Sequence, residues 1–248
     1  MIIPVMFIIH MKYTIVVPLY NEEESIPPLL SRLSQVFRNI DDFEIICVDD
    51  GSSDGSFDVL QSEKEKLSEN GIKLKIIKFE SNGGQSAAFD AGFKNASGDI
   101  VITIDGDLQN PPEEIPLLIE ALKNHDVAIG WRHRRHDLFS KKIAGRMANS
   151  IRRTFLKDNA HDTGCSLKAF KRETLSSMKL YNGMHRFFPA LAKIEGFSVA
   201  EVKVSHERRK WGSSKYGTFI RAIPTFFDLL AVFWMRKRKL DYKIEKIV

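Results

Sequence analysis

The chain has 248 residues, of which 43% are hydrophobic, 28% charged and 10% aromatic. This is the composition of an ordinary globular protein, and it excludes a disordered, collagen-like or disulfide-stapled chain. Cys47 and Cys165 lie far apart without a CxxC spacing, so neither a zinc knuckle nor a redox pair is indicated. A reduced, cytoplasmic setting is favoured.

The net charge of +5 is unevenly distributed along the chain. Residues 1–130 carry 10 Lys and Arg against 22 Asp and Glu, a net −12, whereas residues 131–248 carry 27 against 10, a net +17. An acidic half suits a bound cation, and a basic half suits phosphates or an anionic surface. A basic nucleic-acid-binding module is an alternative that would also explain the basic half.

Three segments are expected along the chain. Residues 1–11 form a short apolar extension without a basic leader, to which we assign no function. Residues 12–217 are expected to form the main domain, and residues 218–248 an amphipathic, basic C-terminal segment. No run of eighteen uninterrupted apolar residues occurs, so no transmembrane helix is predicted.

From Lys12 onward, short β-rich runs alternate with longer amphipathic runs, which predicts an α/β fold with a mainly parallel sheet. The predicted strands are Tyr13–Val17, Glu44–Val48, Leu74–Phe79, Ile100–Ile104 and Val127–Gly130, followed by Leu167–Phe170 and Ser198–Ser205. The predicted helices are Ser25–Phe37, Ser56–Ser68, Gln85–Asn95 and Glu113–Lys123, then a basic stretch at Leu138–Lys157 and a helix around His185–Ile194.

Acidic residues follow two of the predicted strands. Asp105 and Asp107 come directly after Ile100–Ile104, where two carboxylates one residue apart can share a divalent cation with substrate phosphates. Asp-Gly-Asp alone is more often a turn before a helix, which Pro111-Pro112-Glu113 would begin. Asp49 and Asp50 follow Glu44–Val48 and could accept hydrogen bonds from a nucleoside, or form a turn and helix cap.

Three segments taken together resemble a known family. They are Val17-Pro18-Leu19-Tyr20-Asn21-Glu22, Val48-Asp49-Asp50-Gly51-Ser52 and Asp105-Gly106-Asp107-Leu108-Gln109, and they are similar to family-two glycosyltransferases of GT-A fold. Asp162-Thr-Gly-Cys165 and the segment His206–Tyr216 resemble the polyprenyl-phosphate sugar transferases, a branch that includes dolichol-phosphate mannose synthases. The resemblance implies a Rossmann-like, mainly parallel sheet flanked by helices.

The resemblance also implies site residues. Asp105, Asp107 and Gln109 would hold Mg²⁺ or Mn²⁺, with Asp107 and Asp162 as catalytic residues and Asp162 orienting the acceptor. The nucleotide would contact Pro18, Tyr20, Glu22, Asp49, Asp50 and Asp105. Phosphates would contact Arg132, Arg146, Arg208 and Lys215. The guanidinium group of an arginine can bind two oxygens of one phosphate at once.

The C-terminal segment Phe219–Lys239 is rich in aromatic residues and ends in four consecutive cations, Arg236–Lys239. This pattern is typical of an amphipathic helix on an anionic membrane surface, and equally of a core-packing helix with a basic tail. A lipid-linked acceptor favours peripheral attachment at the cytoplasmic face of the membrane. A membrane protein is a further candidate partner.

The main hypothesis is an inverting, metal-dependent glycosyltransferase, specifically a hexosyltransferase like the dolichyl-phosphate mannosyltransferases. It would move a sugar from GDP-mannose or a UDP-hexose to dolichyl or undecaprenyl phosphate, with no nucleic acid as partner. A family-two transferase acting on a soluble or cell-envelope glycan is the alternative within the same class. A catalytically silent relative is disfavoured because Asp105, Asp107 and Gln109 are all present.

Overall fold

The computed structural model describes residues 11–40, 42–133, 149–209, 222–240, 242, 245 and 246. The strands are β1 (Tyr13–Leu19), β2 (Phe43–Asp49), β3 (Lys73–Lys78), β4 (Ile100–Thr103), β5 (Val127–Arg132), β6 (Lys168–Lys171) and β7 (Val199–Val204). The helices are α1 (Ile26–Phe37), α2 (Ser56–Glu69), α3 (Gln85–Asn95), α4 (Ile115–Ala121), α5 (149–156 within the described residues), α6 (Arg172–Ser177), α7 (Phe188–Ile194) and α8 (Ala222–Arg238). Short 3-10 turns at Pro112–Glu114 and Met184–Phe187 precede α4 and α7.

The seven described strands form one sheet in the order β3-β2-β1-β4-β6-β5-β7. Neighbouring strands are parallel except at β6, which runs antiparallel between β4 and β5. This confirms the predicted mainly parallel sheet flanked by helices. The short α6, directly after β6, was not predicted.

Helices cover both faces of the sheet. In β1, Ile15 and Val17 lie in one buried core and Val16 lies in the other, as the alternation of side chains along a strand requires. Helices α1, α2 and α4 pack on the first face, and α3, α7 and α8 pack on the second. A strand buried on both sides is almost continuously apolar, which explains the sequence of β1.

The C-terminal helix α8 packs against the body of the protein through one face only. Leu229 and Val232 are buried beside α7. The exposed face carries a stripe of apolar side chains between 37% and 68% exposed, namely Ile223, Phe226, Phe227, Leu230 and Trp234. Helix α8 therefore contributes to the core and also presents apolar surface, and contact of that surface with a membrane stays a prediction. None of the helices in the described ranges is long and apolar enough to cross a membrane.

Candidate active site

Three strands bring their polar ends to one edge of the sheet. Leu19 at the end of β1 pairs with Asp49 at the end of β2, and Val16 of β1 pairs with Thr103 at the end of β4. The loops that follow these strands therefore start side by side. In open α/β sheets this carboxyl edge is where ligands bind.

The loops after β1 and β2 are joined by hydrogen bonds between backbone and side chains. The Asn21 N–H donates to Ser52 Oγ at 2.9 Å, and the Ser53 N–H donates to Asn21 Oδ1 at 2.7 Å. The Glu22 N–H donates to Ser56 Oγ at 2.8 Å. Asn21 has a φ of +53°, a left-handed conformation that asparagine tolerates better than most residues. The two loops thus form one rigid wall of the site.

The adjacent carboxylates Asp49 and Asp50 have different surroundings. Asp50 accepts hydrogen bonds from the N–H groups of Gly83 at 2.7 Å and Gly84 at 3.0 Å, which fixes the loop before α3. Asp49 Oδ1 accepts from the Ser52 N–H at 2.9 Å. The other oxygen, Oδ2, is buried without a hydrogen-bond partner. A buried polar atom of this kind requires explanation, and a nucleoside donor group would satisfy it.

Asp105 lies two residues beyond β4, and its surroundings favour the uncharged form. Burial and then the nearby Asp107 carboxylate raise its pKa to about 6, although a hydrogen bond from Ser166 and the charges of Lys168 and Arg132 act in the opposite direction. Its Oδ1 also accepts from Gln85 Nε2 at 2.7 Å. Two carboxylates that repel each other at a ligand-binding edge would be stabilised by a cation.

Asp107 is tied to a residue that the sequence analysis missed. The Arg209 Nη1 lies 3.6 Å from Asp107 Oδ2, and the Arg209 Nη2 donates to Glu22 Oε1. Arg209 therefore bridges two predicted site residues, whereas Arg208 is exposed. The motif contains both arginines, but in a loop the sequence does not show which of two neighbours faces inward.

Glu22 is partly buried against this arginine. Burial raises its pKa above the ordinary value, although Arg209 and Ser25 oppose the shift. Its side chain thus holds Arg209 at the edge of the site. Gln109, the third predicted metal ligand, is hydrogen-bonded to Asp107 and to the segment after β7. Its N–H donates to Asp107 Oδ1 at 3.1 Å, and its carbonyl accepts from the Glu207 N–H at 2.9 Å.

Arg132 and Asp162 form a bidentate ion pair. Arg132 Nε donates to Asp162 Oδ2 at 2.6 Å and Nη2 donates to Oδ1 at 2.9 Å. The Arg132 N–H also donates to Asp162 Oδ2 at 3.3 Å, and the Gly164 N–H donates to Oδ1 at 3.1 Å. Because both carboxylate oxygens are engaged, Asp162 is placed to orient Arg132, and its direct action on an acceptor stays a prediction. Arg146 and Lys215 lie outside the described residues.

The remaining predicted contacts, Pro18 and Tyr20, are partly exposed at the end of β1. Gly106 lies against Leu19, and a Cβ there would come within 2.3 Å of Leu19 Cδ2. A larger residue between the two aspartates would force the buried Leu19 side chain to shift. Glycine thus lets the acidic loop lie directly against the end of β1.

The site fits a divalent cation that shares its coordination with a ligand. Among the described residues, no group of three or more His, Cys, Asp or Glu side chains could hold a metal by itself. Asp105 and Asp107 supply hard oxygen ligands, which Mg²⁺ and Mn²⁺ accept in small number alongside water and substrate phosphates. A cation bound there would take only part of its coordination sphere from the protein.

Two known proteins are similar to this chain over most of its length. The chain is 37% identical over 233 residues to the dodecaprenyl-phosphate galacturonate synthase of Rhizobium johnstonii, covering 91% of this chain and 68% of that protein. It is 39% identical over 221 residues to the undecaprenyl-phosphate 4-deoxy-4-formamido-L-arabinose transferase of Proteus mirabilis, covering 88% and 67%. The chain thus spans about two thirds of the length of these relatives. Neither name supports the expected mannose specificity.

Solved structures show the same fold. Glucosyl-3-phosphoglycerate synthase from Mycobacterium tuberculosis, in complex with UDP, aligns with a TM-score of 0.65 at 19% identity, over 94% of this chain and 82% of that one. A mannosyltransferase from Pyrobaculum calidifontis, in complex with GDP-Man and Mn²⁺, aligns with a TM-score of 0.63 at 19% identity, over 91% and 70%. These likenesses confirm the GT-A fold.

The family assignment rests on the sequence itself. A model of the family described as "Glycosyl transferase family 2" matches residues 14–178, which include the ends of β1, β2 and β4 and the Asp162 segment. The resemblance inferred from the three strand-end motifs is thereby confirmed. The chain belongs to glycosyl transferase family 2.

Proposed function

We propose that this protein transfers a sugar from a nucleotide-sugar donor to a polyprenyl phosphate, using a divalent cation and inverting the anomeric centre. The observation that carries the proposal is that the Asp105–Asp107 pair lies at the same edge of the sheet as the unpartnered buried oxygen of Asp49. The names of the relatives, which are undecaprenyl- and dodecaprenyl-phosphate sugar transferases, support the choice of acceptor.

The donor would bind across the edge formed by β1, β2 and β4. Asp49 Oδ2 would accept a hydrogen bond from the nucleoside, and Pro18 and Tyr20 would flank the base. Asp105, Asp107 and Gln109 would hold the cation. When bound, such a cation neutralises the charge that develops on the leaving nucleoside diphosphate.

Transfer to a phosphate requires little base catalysis. One phosphate oxygen of the acceptor would form the new bond to the anomeric carbon while the bond to the nucleoside diphosphate breaks. That oxygen is already anionic at neutral pH, so no group must remove a proton. This agrees with the engagement of Asp162 by Arg132.

We propose two arginines as phosphate-binding groups. Arg209 already spans Glu22 and Asp107, and a substrate phosphate would replace part of this pairing. Arg132, held by Asp162, would present a pre-oriented guanidinium group. We therefore propose Arg209, in place of the exposed Arg208, as the phosphate contact of the loop after β7.

The protein would bind its acceptor at a membrane surface. The apolar stripe of α8, together with the exposed cations at its end, suits the interface of an anionic membrane. We propose peripheral attachment through this helix. The cytoplasmic face and a membrane-protein partner stay predictions.

The test is sugar transfer by the purified chain. UDP-linked and GDP-linked sugars would be supplied with Mn²⁺, Mg²⁺ or a chelator, and undecaprenyl, dodecaprenyl and dolichyl phosphates would be compared with a water-soluble glycan. We expect product only with a prenyl phosphate and a divalent cation. Transfer to the soluble glycan alone would overturn the proposed acceptor.

A variant pair tests the cation site in the same assay. Asp107→Ala should lower transfer at least about 100-fold, because a lost metal ligand removes several kcal/mol of transition-state stabilisation. Asp58→Ala, on the exposed surface of α2, should leave transfer unchanged. Equal activity of the two variants would contradict the role of Asp107.

A further inference from the structure

Ser166 lies directly behind the acidic loop, in the segment that leads into β6. It is 5% exposed. Its hydroxyl oxygen accepts hydrogen bonds from the Asp105 N–H at 3.0 Å and from Asn110 Nδ2 at 2.9 Å. One oxygen atom therefore joins the beginning and the end of the loop that carries Asp105 and Asp107.

The Ser166 hydroxyl also acts on the Asp105 carboxylate. Two N–H groups already donate to its oxygen, so its own proton is available for an acceptor. The hydroxyl favours the charged form of Asp105 and so opposes the rise of its pKa. The backbone of Ser166 is fixed too, because Thr103 Oγ1 donates to its carbonyl at 2.6 Å.

The loop between these two anchors is strained. Leu108 has a φ of +58° and is buried at 4% exposure. A left-handed conformation is costly for a leucine and persists only when its surroundings enforce it. The hydrogen bonds that Ser166 receives at both ends of the loop supply such a restraint.

We propose that Ser166 is a positioning residue, which holds Asp105 and Asp107 at the spacing that a divalent cation requires. The inference rests on the proposed function, since it concerns the cation site of the same reaction. Groups that orient metal ligands commonly change metal affinity by about 10–100-fold when they are replaced. The same effect is expected here, without any contact between Ser166 and the substrate.

The test is the dissociation constant of Mn²⁺, measured by electron paramagnetic resonance with UDP or GDP present. Ser166→Ala should raise this constant about tenfold and should raise the KM for Mn²⁺ more than it lowers kcat at saturating Mn²⁺. The matched control is Thr14→Val at the opposite edge of the sheet. Thr14 is also buried, and its hydroxyl donates to Glu44 at 2.8 Å and accepts from Gly98 at 2.8 Å.

Thr14→Val should lower the melting temperature but leave the Mn²⁺ constant within about twofold of wild type. A folded Ser166→Ala protein with an unchanged Mn²⁺ constant would overturn the inference while the proposed function stands. If Ser166→Ala does not fold, Ser166→Cys is tested in its place, because cysteine has a similar volume but forms weaker hydrogen bonds. A raised Mn²⁺ dissociation constant of this variant supports the inference, and an unchanged one overturns it. Wild-type protein that binds no Mn²⁺ would refute the cation site itself.

Discussion

Adjacent residues at the candidate site have separate tasks, and Asp49 and Asp50 show this most clearly. The Asp50 carboxylate holds the backbone of Gly83 and Gly84, whereas one oxygen of Asp49 is buried without a partner. The first arrangement stabilises the fold and the second leaves an acceptor for a ligand. Sequence alone assigned both residues to the nucleotide.

We expect the two amide variants to behave differently. Asp49→Asn should weaken nucleotide binding about 10–100-fold, because hydrogen bonds to charged groups contribute about 1.5–3 kcal/mol, and should leave the melting temperature almost unchanged. Asp50→Asn should lower the melting temperature, since it weakens the hydrogen bonds that the Gly83 and Gly84 N–H groups donate to this side chain. Calorimetric titration with UDP and GDP measures nucleotide binding by the two variants, and thermal unfolding measures their melting temperatures. Weaker binding by Asp50→Asn together with a lower melting temperature of Asp49→Asn would exchange the two roles.

The protonation of Asp105 gives a prediction about pH. Its pKa is raised to about 6 by burial and by Asp107, so the folded protein binds this proton more tightly than the unfolded chain does. Folding stability is therefore reduced above pH 6, at most by about 3 kcal/mol, and the reduction disappears as the pH falls toward 4.

Asp105→Asn isolates this effect, because it removes the charge at every pH. Without metal, the variant should melt at a higher temperature than wild type at pH 8, and the difference should vanish near pH 4. Mn²⁺ binding by the wild type should weaken as the pH falls below about 6, because protons compete for the ligand. A pH-independent difference in melting temperature would contradict the assignment.

Among the elements, the segment after β7 closes one side of the site. The Ser205 N–H donates to Glu114 Oε2 at 2.9 Å, and Glu207 pairs with Arg32 at 3.1 Å. These anchors deliver Arg209 to Glu22, although the two residues lie 187 positions apart in sequence. The loop thus carries a cation from the basic half of the chain to the acidic edge.

The neighbouring arginines form a natural test of this segment. Arg209→Gln should lower kcat/KM for transfer about 10–100-fold, as expected when a charge-assisted contact to phosphate is lost. Arg208→Gln removes the same charge from an exposed position. It should change kcat/KM less than about threefold, because only the long-range attraction of anionic substrates is affected. Steady-state transfer assays at one ionic strength compare them, and a larger loss for Arg208→Gln would restore the assignment made from sequence.

At the scale of the whole molecule, α8 places an apolar surface next to the catalytic body. Its inner face is fixed by Leu229 and Val232, and Arg186 Nη1 donates to Thr225 Oγ1 at 2.8 Å. The turn that contains Arg186 also contains His185, whose Nδ1 lies 2.7 Å from Ser86 Oγ at the start of α3. The helix therefore begins close to the ligand-binding edge of the sheet.

Neutral replacement of Arg236–Lys239 should weaken binding to anionic liposomes at least about tenfold, because each cation near such a surface contributes about 1 kcal/mol. A variant with four exposed lysines neutralised elsewhere, Lys64, Lys66, Lys73 and Lys94, has the same net charge and serves as control. Co-sedimentation with liposomes measures both. Equal losses would mean that overall charge, rather than α8, determines attachment.

The apolar runs of the sequence and the acids that follow them were enough to predict the mainly parallel sheet, the strand-end carboxylates and the family. These features depend on local signals: Asp49 and Asp105 each follow a buried strand, and parallel strands place such ends at one edge. The predicted ends of the strands differ from those of the structure by at most two residues, because apolar periodicity fades gradually at an end.

Which side chains meet at the site became clear only from the fold. The selection of Arg209 over Arg208, the engagement of Asp162 by Arg132 and the position of Ser166 behind Asp105 all depend on contacts between segments distant in sequence. Loops have no periodicity that would fix the direction of a side chain. The packing of both faces of the sheet sets these directions, and with them the chemistry available at its edge.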